Sequence, residues 1–202
     1  MSNIFQVRLT REIADVTTSE DLINIGILVS LIDEKNVSQL EAQIAGPPET
    51  SYEGGKFKLS IDVPKDYPFK PPDVKFTTKV WHPNVSSKTG VICLDILKEQ
   101  WAASMTLRSV LLSVQQMLCN PEPKNPQDAV VAKQYMKDIN LFNETAKFWT
   151  QVYANAPGFK NEEMSTKVQK LTQDMGYNEN TALTSLSYHD WDINKAIEDL
   201  AS

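Results

Sequence analysis

The chain has 202 residues, 41% hydrophobic and 23% charged, enough to bury a real core in one medium domain and leave a small second one. From residue 161 onward three lysines stand against eight acids, so the tail carries five of the six net negative charges and neither part offers the basic face that nucleic acid needs. No apolar run approaches the roughly 18 residues of a membrane span, residues 1–5 carry no charged lead into an apolar stretch, and two cysteines make no disulfide framework, so a reducing compartment is expected, cytoplasmic and also nuclear.

In chain order, Ile4, Val7, Leu9, Ile13 and Val16 fall at near-helical spacing and predict a helix over 4–17. Two runs rich in Ile, Leu and Val, 23–32 and 39–45, flank the turn at 33–36 and read as a β-hairpin, broken by Gly46-Pro47-Pro48. Residues 56–63 alternate apolar and polar, a strand with one buried face, and 74–76 make a short fourth strand. The chain can stay extended to Trp81, and an irregular loop then runs through Asn84 to Cys93. Leu107, Val110, Leu111, Val114 and Leu118 share one stripe of a helix over 106–118 capped by Thr106, and Cys119 beside Leu118 reads as core. Prolines at 121, 123 and 126 forbid helix there; two helices follow at 127–137 and 140–154, and Ala156-Pro157-Gly158 signals a linker. The last forty or so residues hold three short helices, the third capped by Asp190 or Asp192, with a core that is marginal on its own. The expected fold is α+β: a four-stranded antiparallel sheet with flanking helices, then a small C-terminal three-helix bundle.

The chemistry is concentrated in Val80-Trp81-His82-Pro83-Asn84 and Cys93. A thiol can carry an acyl group as a thioester, and a carboxamide can donate hydrogen bonds to the oxyanion formed when that thioester is attacked. A hydrolytic cysteine enzyme needs a base for its thiol, yet the chain has two histidines, His82 in the loop and His189 in the tail. Carrying and handing over an acyl group is therefore favoured over hydrolysis. Cys93 could instead be a small buried hydrophobe, and Asn84 could hold the loop by bonding backbone. Two Cys and two His without paired spacing predict no metal site.

His82-Pro83-Asn84 with Gly90-Val91-Ile92-Cys93-Leu94-Asp95-Ile96-Leu97 resembles the active-site segment of ubiquitin-conjugating enzymes. Tyr52-Glu53-Gly54-Gly55, Tyr67-Pro68-Phe69-Lys70-Pro71-Pro72, Gln100-Trp101 and Met105-Thr106-Leu107 fall in that family's order. The resemblance covers 1–155 as the catalytic domain; 156–162 is then a linker, and 163–202 resembles a ubiquitin-associated domain. It implies that Cys93 accepts ubiquitin from an activating enzyme and a lysine collects it, building chains for degradation. Asn84 and Asp95 would assist at the site, with His82 bracing the loop. A second acid in the loop after the central helix falls on Asn125 by straight count, which removes it, and on Asp128 by alignment on Ala129-Val130-Val131; Asp128 is preferred. The resemblance gives Arg8 and Arg11 to the activating enzyme, with Thr10 where relatives have a basic residue. It gives Phe69, Ala103 and Ser104 to ligases, and Met175, Gly176, Tyr177 and Leu200 to ubiquitin. Tyr67-Pro68 is a candidate cis peptide. A monomer with no cofactor is expected, ATP being used by the activating enzyme; partners are ubiquitin, that enzyme, ligases and protein substrates, with no nucleic acid and no membrane. The alternative is a non-catalytic ubiquitin-binding scaffold of the same fold.

Overall fold

A computed structural model describes residues 3–33 and 35–202, with side chains from residue 6 onward. Glu34 of the expected hairpin turn and the Ile4 side chain lie outside that set. The first helix, α1, runs Asn3–Thr18 and buries Leu9, Ile13 and Val16, whereas Val7 faces solvent. A five-residue helix, α2 (Glu20–Asn24), then takes the start of the expected first strand. Ser19 explains it: its side chain accepts from the Leu22 amide, and Glu20 and Asp21 sit in the first turn, where the helix dipole favours acids. The sheet is β1 (Ile27–Leu31), β2 (Gln39–Ala45), β3 (Lys56–Asp62) and β4 (Asp73–Phe76), antiparallel in sequence order. Leu40, Ala42 and Ile44 of β2 alternate inward beside Phe57, Leu59 and Ile61 of β3. The Tyr67-Pro68 bond is cis.

Across the buried face lies α3 (Leu107–Cys119), which begins in a capping box: Thr106 accepts from the Ser109 amide, and Ser109 accepts from the Thr106 amide. Cys119, expected in the core, is exposed. The buried stripe ends at Leu118, and the next residue is turned about 100° round the helix, away from it. Then come α4 (Ala129–Lys137) and α5 (Ile139–Tyr153), capped by Asp128 and Asp138. The tail holds α6 (Glu162–Gln169), widening into a π turn at Lys170–Asp174, then α7 (Glu179–Tyr188) and α8 (Ile193–Ala201); Asp192 caps the last.

The core of the tail continues into the catalytic body. Trp191 packs edge-on against Phe148 of α5, with centroids 5.3 Å apart, and its indole N–H donates to Thr145 Oγ1 at 2.8 Å. Trp149 donates to Ser187 Oγ at 2.8 Å, and Lys137 pairs with Asp190 at 2.8 Å. Buried apolar residues from α1 to α8 form one continuous cluster.

Candidate active site

Proline shapes the loop after Trp81, and Gly90 seats it against the sheet. Gly90 has φ +73°, donates to Ser86 O at 2.8 Å and accepts from the Phe76 amide of β4 at 2.9 Å; a Cβ there would lie 1.9 Å from the Phe76 carbonyl oxygen. His82 is fully buried. Its Nδ1 accepts from the Asn84 amide at 3.0 Å, so that nitrogen carries no proton, and Nε2 donates to Met117 O at 3.1 Å. Burial lowers its pKa to about 3, a neutral imidazole whose two nitrogens are both committed to backbone.

Asn84 is equally committed. Its side-chain NH2 donates to the carbonyls of Glu122 and Asn125, each at 3.1 Å, and its side-chain oxygen accepts from the Glu122 amide at 2.8 Å. Both amide protons are spent on backbone, the loop-holding one of the two roles open to it; donation to an oxyanion requires one of these bonds to open. The Asn84 carbonyl accepts from the Cys93 amide at 2.8 Å, which fixes the thiol relative to the loop.

Cys93 is half-exposed and lies on an open cleft of about 1170 Å³ lined also by Asn84, Asp95, Lys98, Glu99, Asn120, Glu122 and Asn125. Asp95 opens a 3₁₀ turn, Asp95–Leu97, and one carboxylate oxygen accepts from the Ile96 amide at 2.7 Å; no partner is seen for the other among the described residues. Lys98, just past that turn, brings Nζ to 3.4 Å from the Cys93 sulfur. Sequence reasoning missed Lys98, although a short turn between residues five apart is the signal that could have found it.

Asp128 lies elsewhere. It is buried; one oxygen caps α4 at the Val130 and Val131 amides, and the other accepts from the Ser87 amide and hydroxyl. It does not line the cleft, whereas Asn125 does. The straight count from Cys93, rather than the alignment on apolar residues, therefore gives the residue at the site. Asp128 instead caps α4 and holds Ser87.

The expected partner residues are dispersed over the surface. Arg8 turns inward, pairing with Glu12 at 2.7 Å and donating to the carbonyls of Ala103 and Met105, while Arg11 is exposed. Phe69 is 82% exposed, and Ala103 and Ser104 are exposed on a neighbouring loop; Trp101 clips the two loops together by donating to Pro68 O at 2.7 Å. In the tail Gly176, at φ +77°, ends the π turn, and the Tyr177 amide donates to Leu171 O at 3.1 Å. Met175 is exposed, and the Tyr177 hydroxyl reaches Leu200 O at 3.4 Å, so the loop and the last helix meet. Among the described residues there is no group of three or more His, Cys, Asp or Glu placed to hold a metal, and no helix long and apolar enough to cross a membrane.

A thiol on an open cleft, in a loop whose histidine is held neutral and turned to backbone, is compatible with an enzyme that carries an acyl group on sulfur. Comparison with known proteins gives the same class. Residues 8–150 match the model of the ubiquitin-conjugating enzyme family. The human ubiquitin-conjugating enzyme E2 K is 50% identical over 202 residues, and the fruit-fly (Drosophila melanogaster) ubiquitin-conjugating enzyme E2-22 kDa is 49% identical, in both cases over the full length of both chains. The E2 domain of a Toxoplasma gondii ubiquitin conjugating enzyme superposes with a TM-score of 0.67 at 47% identity, covering 74% of this chain and 98% of that one. The chain belongs to the ubiquitin-conjugating enzymes, acyltransferases that work through a thioester.

Proposed function

We propose that Cys93 is the sulfur on which ubiquitin travels. Its carboxyl terminus arrives from the activating enzyme as an activated acyl group; Cys93 Sγ forms a C–S bond to the acyl carbon as the bond to the activating group breaks, and the thiol proton goes with that leaving group. A lysine amine then forms a C–N bond to the same carbon, gives up its proton, and the C–S bond breaks to release the Cys93 thiolate. The observation that carries this reading is the half-buried thiol on the cleft, with its amide tied to Asn84 and no histidine among the described residues that line the cleft. Attack needs a neutral amine, and lysine at its ordinary pKa of about 10.4 is almost wholly protonated at neutral pH. The open carboxylate oxygen of Asp95 is the group on the cleft suited to orient the amine and take its proton. Asn84 holds the loop and, on releasing one carbonyl, supplies an N–H to the oxyanion.

The products are polyubiquitin chains for degradation. The tail is a ubiquitin-associated domain that binds ubiquitin weakly through Met175, Gly176, Tyr177 and Leu200 and raises its concentration near the site. Arg11 meets the activating enzyme, and Phe69, Ala103 and Ser104 meet ligases. The enzyme is a monomer of cytoplasm and nucleus, with neither nucleic acid nor membrane as partner. It holds no cofactor, since ATP is spent upstream.

Incubation with activating enzyme, ATP and ubiquitin should give an adduct cleaved by excess thiol, absent from Cys93→Ala and converted to a thiol-resistant ester in Cys93→Ser. An adduct that persists in Cys93→Ala overturns the assignment, and release of free ubiquitin from isopeptide-linked chains would point to a hydrolase.

A further inference from the structure

Two sets of contacts between tail and catalytic body reach the flanks of Asn84. On one side is Trp81, wholly buried: its carbonyl accepts from the Tyr52 hydroxyl at 2.8 Å, its indole N–H donates to Gln134 Oε1 at 2.8 Å, and its ring touches Trp149 and Tyr188 at 4.9 and 5.9 Å between centroids. Gln134 uses its NH2 on the tail, reaching Ser187 O at 3.4 Å and Asp190 Oδ1 at 3.2 Å. On the other side is Ser87, whose hydroxyl joins Asp128 to the Tyr188 hydroxyl, 2.8 Å away; the Lys88 ammonium stands 5.3 Å from the centre of the Tyr188 ring. The Asp128 amide closes the ring of contacts by donating to Pro83 O at 3.0 Å.

The tail residues in these contacts, 187, 188 and 190, form one corner with Trp191. That corner is held in an unusual conformation, with Asp190 and Trp191 at φ +51° and +62°. Such a backbone persists where its surroundings over-determine it. Here Trp191 N donates to Leu186 O at 2.7 Å, the indole donates to Thr145, and Lys137 pairs with Asp190.

We infer that this corner is a positioning element for the catalytic loop. Gln134 acts through Trp81, and Tyr188 through Ser87 and Asp128, to fix the peptide whose carbonyl receives the Cys93 amide. Neither Gln134 nor Tyr188 is a catalytic residue. A buried polar network that is only partly satisfied loosens, and a small misplacement at a reacting centre is read directly in the rate. The inference rests on Cys93 being the loaded residue, and its test keeps the two apart.

Full-length Tyr188→Phe and Gln134→Glu are loaded by activating enzyme and ATP and then chased with free lysine, an acceptor that the tail's hold on ubiquitin does not influence. Phenylalanine keeps the ring on Trp81 and loses the hydroxyl on Ser87. Glutamate still accepts from Trp81 but cannot donate to Ser187 and Asp190; adding Asp190→Asn restores a donor. Loading should be unchanged, while kcat for discharge falls about three- to tenfold in Gln134→Glu, less in Tyr188→Phe, with KM for lysine constant. The double variant should recover. Wild-type discharge in both single variants overturns the inference. So does a parallel loss of loading, discharge and thermal midpoint, which would assign the corner to stability alone. Failure of the unmodified enzyme to load on Cys93 would instead sink the thioester assignment.

Discussion

His82 gives the site its first measurable signature. Its folded pKa of about 3 lies below the ordinary 6.5, so between those values the unfolded chain takes up a proton that the folded one refuses. That contribution is intact above about 6.5 and shrinks as pH falls toward 3. Urea unfolding should therefore show stability declining on acidification from pH 7 to 4.5, by on the order of a few kcal/mol from this residue, and His82→Gln should flatten that slope. Asn84→Ala orphans two carbonyls and one amide. It should cost roughly 2 kcal/mol or more of stability and slow discharge to lysine more than loading, measured side by side in single turnovers; equal slowing of both steps would leave Asn84 a purely architectural role. At this scale the order of His82, Asn84 and Cys93 made the loop that lines the cleft legible. The direction of the Asn84 carboxamide was not, because the loop carbonyls of residues 122 and 125 are 38 and 41 positions away in sequence. Asp128 was misplaced for a related reason: a carboxylate before an apolar run marks a helix start as well as it marks a catalytic acid.

Among the elements, the loop from β4 to Cys93 depends on backbone approach. Gly90→Ala drives a methyl into the Phe76 carbonyl at a positive φ and should destabilise by about 3 kcal/mol or more, visible as a lower thermal midpoint. Asp128→Ala removes the α4 cap and both Ser87 bonds, and a loss of roughly 2 kcal/mol is expected. The pH profile of lysine discharge should keep its shape in that variant and change in Asp95→Asn; the reverse result would return Asp128 to the chemistry. Long amphipathic elements such as α3 were legible from their stripe and the Thr106 cap. The five residues of α2 were not, since so short a helix shows no period and its last two, Ile23 and Asn24, read as the start of a strand.

For the molecule as a whole, the tail and catalytic body share one core, although composition and the Ala156-Pro157-Gly158 break suggest a separable unit. The polar side chains that join them, Gln134, Ser87 and Tyr188, look like surface in the sequence, and Trp149 and Trp191 carry no sign of facing each other's segments. Removing residues 161–202 leaves the indole of Trp149 and the amide of Gln134 without their tail partners. The truncated protein should melt at lower temperature, with red-shifted tryptophan emission, and an unchanged midpoint would mean the shared core contributes nothing. Trp81 and Trp149 have a further use. Indoles 4.9 Å apart and tilted by 46° couple their electronic transitions, and Tyr188 from the tail closes over one of them. The junction therefore contains an unlabelled optical gauge: a near-ultraviolet circular-dichroism band that reports, in real time, whether cargo or a ligase lifts the C-terminal helices from their seat.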